Sequence, residues 1–175
     1  MKKLRMFPLV IGIAVSLIAC DKDDDDDNET YNQQDKNFAM MASMSNYAEI
    51  DAGQTASTKG TNAGIREFGS MMVRDHTKAG QELKPITSGL GLYSPDSLDA
   101  KHVALKAQLA TLTGRAFDSV YIHSQVEDHQ AAIDLFTDES EDGKQADLKN
   151  FATKTLPNLK MHKMHADSLA NLYKR

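Results

Sequence analysis

An all-α fold is what this sequence predicts: four long helices in a bundle, with a short extra helix in the connection between the second and third. Three observations carry the prediction. There is no tryptophan and there are only four prolines in 175 residues, and no stretch alternates Val, Ile and Thr as a strand would. Four long stretches instead repeat apolar or small residues at steps of three and four, the pattern of a helix face packed in a bundle. Charged residues at 26% and apolar residues at 41% give an ordinary globular balance for a single domain.

The elements follow in order. The first long helix is expected from about Gln33 to Thr58, ending at Lys59-Gly60 with Gly60 as its cap. Thr61-Asn62 can cap the second, which runs towards Gly89, with Pro85 expected to kink or shorten its last turn. GLYSPDSL reads as a loop, and a short helix follows from about Asp99 to Leu112. The third long helix begins after Thr113-Gly114 and continues to about Glu139. ESEDGK is a turn, and the fourth helix runs from about Ala146 to Tyr173. The connection from Leu90 to Thr113 is long enough to return along the bundle.

The start of the chain has a separate role. Lys2, Lys3 and Arg5 precede the apolar run FPLVIGIAVSLIA, so residues 1–19 read as a secretory signal, too short for a comfortable membrane span. Leu17-Ile18-Ala19-Cys20 resembles the bacterial lipobox, which makes Cys20, the sole cysteine, the expected lipidation site. Residues 20–32 form a tether whose DKDDDDDNET segment holds seven acids in ten residues. Such a block repels itself and stays extended; it also resembles the acidic export signals of bacterial surface lipoproteins. The bundle domain is residues 33–175. The net charge of −5 gives no footprint for nucleic acid.

Within the bundle each seam is apolar or small except at one place. Those places hold Glu49, His76, His129 and His162. Counted from the turns at Gly60 and Gly143, all four lie roughly 16–29 Å along their helices, near mid-height, so they should converge. In KMHKMH (160–165) only His162 falls on the seam; His165 lies near its edge, and Met161 and Met164 point away. Two arrangements satisfy such a cluster: mutual hydrogen bonding with Glu49 ionised, or one divalent ion held by imidazoles and carboxylate, zinc or manganese suiting that nitrogen and oxygen mixture. Asp75 and Asp128 directly precede two of the histidines and read as flanking residues that pair with lysine or arginine on neighbouring helices. Asp118, in the first turn after Gly114, is expected to stabilise a positive helix end.

REFGSMMVRDHTKAGQEL, LTGRAFDSVYIHSQVEDHQAAIDLF and FATKTLPNLKMH resemble the domain of unknown function 4142 family, over about Asn37 to Leu169. The resemblance implies a ferritin-like four-helix fold in bacterial envelope and outer-membrane proteins. It places Asp75-His76, Phe117-Asp118, Tyr121, Asp128-His129, Leu156-Pro157 and His162 at the family's motif positions, and it supplies no established activity. A di-iron centre is refused by the residues, because Val73, Val126 and Leu159 stand where Glu-x-x-His motifs need glutamate. No nucleophile motif or phosphate loop occurs either, so no enzymatic activity is expected. The expected function is a non-enzymatic binding or stress-associated module, attached to the outer membrane by lipid and facing periplasm or cell surface. The alternative is a mononuclear metal-binding protein with a storage or protective role.

Overall fold

The computed structural model describes residues 30–174. Its helices are α1 (Gln33–Lys59), α2 (Ala63–Gly89), α3 (Ala100–Thr111), α4 (Gly114–Asp142) and α5 (Ala146–Ala170), with a 3-10 turn over Asn171–Tyr173. The described residues are all-α, as expected, and each boundary falls within a few residues of its sequence signal. The signal peptide, Cys20 and all of the tether but its last three residues lie outside the described residues.

Local chemistry explains the ends. Asn32 and Asp35 form a reciprocal capping box on α1, Asn62 caps α2 through Gly64, and Asp99 caps α3 through the amide of His102. Gly60 caps α1, but in an extended backbone conformation rather than a left-handed one. It is needed for space: a Cβ there would sit 2.7 Å from the Ala56 carbonyl oxygen. Pro85 neither ends nor shortens α2, which continues to Gly89. Both Pro85 and Gln81, whose carbonyl loses its amide partner, are exposed, so water can satisfy the freed acceptor.

α1 and α2 form one hairpin, α4 and α5 a second, and the two pack through α1 on α4 and α2 on α5. Each hairpin completes the other's turn. Asp118, early in α4, accepts the backbone N–H groups of Thr61 and Asn62. Asp35, early in α1, accepts those of Lys144 and Gln145. These contacts place the start of α4 beside the end of α1, so residues 90–113 must run back along the bundle, carrying α3 with them. The hairpins also correspond residue by residue at an offset of 83 (143 − 60 for the two turn glycines). Asp35 matches Asp118, Phe38 matches Tyr121, Ile65 matches Leu148, and Phe68 matches Phe151.

Two apolar clusters fill the bundle. One, around Ile65, Phe68, Met72, Phe117 and Ile122, lies toward the α1–α2 turn; the other, around Phe38, Leu83, Phe136, Leu148 and Phe151, lies toward the α4–α5 turn. Burying each such side chain contributes about 1.5–3 kcal/mol. Helices α1 and α2 come together closely enough that a Cβ on Gly69 would meet the Gly53 carbonyl at 2.7 Å. Between the clusters lies a layer of buried polar side chains. Among the described residues no helix is long and apolar enough to cross a membrane.

Candidate metal centre

Three of the four seam residues picked out by polarity converge. His76 from α2, His129 from α4 and His162 from α5 are 6%, 1% and 1% exposed. Their ring centroids form a nearly equilateral triangle with sides of 5.8, 5.5 and 5.4 Å. One ring nitrogen from each lies within 4.8 Å of one from each of the others.

The outer nitrogen of every ring is occupied. His129 Nδ1 donates to the Gln125 carbonyl at 2.9 Å, His76 Nδ1 to Asn46 Oδ1 at 3.0 Å, and His162 Nε2 to Asp75 Oδ2 at 3.0 Å. All three partners are oxygen acceptors, which fixes the proton on the outer nitrogen. His129 Nε2, His76 Nε2 and His162 Nδ1 are then lone-pair acceptors, and none has a partner among the described residues. Three buried acceptors face one another with no donor between them. Leaving each unsatisfied costs about 1–3 kcal/mol.

A proton does not resolve this. Burial and then repulsion from His129 and His162 push His76 well below its ordinary value. Burial also lowers His129, against the opposing pull of the Gln125 carbonyl. Burial takes His162 down to about 4, although Asp75 works the other way. The rings are neutral at physiological pH and ready to coordinate. Ligating histidines characteristically donate their second nitrogen to a carbonyl or carboxylate, as all three do here.

Glu49 is buried next to this triangle but outside it. Its Oε1 lies 3.7 Å from His129 Nδ1, the nitrogen already committed to Gln125, too far for the hydrogen bond that an ionised Glu49 was expected to make. Burial, then the charge of Asp128, raises its carboxyl to about 8, with Gln125 acting in the opposite direction. The Glu–His cluster is therefore not held together by mutual hydrogen bonds, and the carboxylate that favoured manganese is turned away.

The remaining motif residues support the frame or the rings. Asp75 reaches across to α5 and orients His162, while Arg74, on its own helix, also pairs with it. Burial would raise the Asp75 carboxyl, but Arg74 and His162 outweigh it and hold it below the ordinary range. Asp128 pairs with Lys101 and His102 of α3, as expected of a flank residue, and fastens the crossover to α4. Asp118 stabilises a positive helix end, that of α2 rather than its own, and also accepts the Tyr173 hydroxyl. Tyr121 is buried with its ring stacked on Phe117. Pro157 lies exposed inside α5 on the outer groove beside Asp75. From KMHKMH only His162 points inward; Met164 is 68% exposed.

Sequence reasoning missed Asn46 and Gln125. Asn46 depends on Gly80, where a Cβ would lie 2.6 Å from the Asn46 side-chain nitrogen. A glycine in mid-helix, one turn from a seam histidine, is the signal that could have drawn notice.

The family described as domain of unknown function (DUF4142) matches residues 22–169, and the chain belongs to it. No curated protein matches. Among solved structures, the crystal structure of a DUF305 fragment from Deinococcus radiodurans is similar at a TM-score of 0.70 and 10% identity, covering 81% of this chain and 97% of that one. At that identity the likeness shows the fold alone.

Proposed function

We propose that this DUF4142 domain binds one divalent metal ion through His76 Nε2, His129 Nε2 and His162 Nδ1, as a non-enzymatic module of the bacterial envelope. One observation carries the reading: three buried imidazoles bring ring nitrogens within 4.8 Å of one another, the inner ones unpartnered, while each outer N–H is tied to an oxygen. A cation is the partner that satisfies all three at once. With nitrogen ligands and no carboxylate in reach, a borderline ion of the zinc class fits better than manganese. Bond lengths of about 2.0–2.1 Å would hold the three nitrogens closer together than the 4.8 Å limit within which they lie. Four long helices with one long crossover support a ferritin-like bundle without its di-iron motifs.

The test is thermal unfolding of the purified chain with and without zinc, with manganese in parallel. Binding only the folded form raises the melting temperature. His76→Ala, His129→Ala and His162→Ala should each abolish the rise, whereas His165→Ala should retain it. Equal behaviour of His162→Ala and His165→Ala would remove the metal reading.

The lipobox-like Leu17-Ile18-Ala19-Cys20 supports attachment of this module to the envelope by lipid at Cys20, with the acidic tether holding it off the outer membrane. Stable attachment needs more than one acyl chain. Cys20→Ser should move the protein from the membrane fraction to the soluble one or leave it unprocessed; unchanged fractionation and mass would refute the anchor.

A further inference from the structure

We infer that the centre is open: its fourth coordination position faces a small apolar chamber that admits one exogenous ligand of up to about three heavy atoms. The inference rests on the metal reading above and adds the substance bound there.

The first step is the absence of a fourth ligand from the chain. Among the described residues no carboxylate or thiolate joins the three ring nitrogens, and the oxygens paired with the rings lie against the outer nitrogens: Asn46 Oδ1 on His76, the Gln125 carbonyl and Glu49 on His129, and Asp75 on His162. A borderline ion seeks at least four ligands, and sites with three protein ligands leave the last for water or substrate.

The second step is the space itself. A cavity of about 30 Å³ adjoins His76 and His162, walled mainly by Ala42, Ala79, Leu83, Ala132, Phe136 and Leu159. About 10–15 Å³ of such space holds one water, so the chamber has room for a ligand of two or three small atoms. Its walls are mainly apolar, with Ser45, Asn46, Thr155 and Asn158 the only uncharged polar side chains among them besides the histidines, so it suits a small, weakly hydrated molecule better than a strongly hydrated one. The ion with three neutral imidazoles keeps two positive charges, which favours an anion. Asp75, Ala79, Thr155 and Asn158 line both this chamber and an outer groove between α2 and α5, which supplies the route in.

The full chain loaded with Co(II) reports coordination through its visible absorption, and azide serves as the probe. Azide should shift the cobalt bands saturably, and Ala79→Val, which narrows the chamber at a half-buried wall position, should weaken the azide response at least tenfold while Co(II) still binds. Ala42→Val on α1 provides a second narrowing if the first variant fails to fold. Bound cobalt whose spectrum ignores azide would show a closed centre and overturn this inference while leaving the metal site intact. An azide response untouched by both variants would place the ligand outside the chamber and overturn it as well. Failure of Co(II) to bind at all, seen before azide is added, would defeat the metal reading and this inference together.

Discussion

The two hairpins share a frame but not a site. Superposed at their offset of 83 residues, Asp35 and Asp118 do the same job, as do Gly60 and Gly143, and Phe68 and Phe151 fill equivalent places in the two apolar clusters. The site residues have no such counterparts. His76 corresponds to Leu159, His162 to Ala79, and Glu49 to Ala132. Those three counterparts wall the chamber. At each of these three positions one hairpin carries the polar side chain and the other a small or apolar group that leaves room beside the rings, while His129 is matched by Asn46, the residue that holds His76. Positions kept in both hairpins serve the fold, and positions where the hairpins differ build the centre.

If frame and site are separable in this way, substitutions at paired positions should cost stability without altering metal affinity, and those at unpaired positions the reverse. The largest effect is expected from Asp118→Ala. It removes the acceptor of two backbone amides and the Tyr173 hydroxyl, costing about 3–4 kcal/mol in urea denaturation of the metal-free protein. Asp35→Ala should cost less, about 2 kcal/mol, because it relieves the neighbouring Glu139. Zinc affinity in whatever fraction stays folded should be unchanged in both.

Asn46→Ala tests the other side. Loss of the group that fixes the His76 proton should weaken zinc binding about 10- to 100-fold by competition titration, with little change in metal-free stability. An unaltered affinity would show that the outer partners are packing rather than orientation.

The smallest effect concerns Glu139, a buried acid whose counterpart is Ala56. Burial, then Asp35, raises its carboxyl to about 8 from the ordinary 4.5. The folded state therefore holds a proton that the unfolded chain releases. Its stabilising contribution is complete below the unfolded value and is lost as pH rises through the folded one. Glu49 is raised to about 8 also and acts with the same sign. Melting temperature of the metal-free chain should fall from about pH 7 to 9, where the three imidazoles are neutral in both states, and Glu139→Gln should remove about half of that slope. An unchanged slope would place the titration elsewhere.

Much of this was legible in the sequence. Helix limits followed from Asn62, Asp99 and the turn glycines, because caps act over three or four residues. His76, His129 and His162 stood out because polar groups interrupt apolar seams only at a cost. The partners were harder to see. Asp75 sits about 100° around the helix from His76, and a seam argument discards it, yet it reaches a ring on α5. Glu49 has the right height but approaches His129 from the side opposite the triangle, a difference of orientation that spacing along one helix cannot encode. The service of Asp118 to a turn 57 residues away depends on how the hairpins dock.

That exchange of caps has a consequence for how the molecule comes apart. Either hairpin alone would leave two amides at its turn without an acceptor, and would bare the apolar face that the other covers. Neither half is then a folding unit in its own right, although each is nearly long enough to resemble a small domain. Loss of structure should be all-or-none across residues 33–173 rather than a peeling of one hairpin from the other. Because a half-opened chain is what proteases cleave, such cooperativity is itself a form of protection.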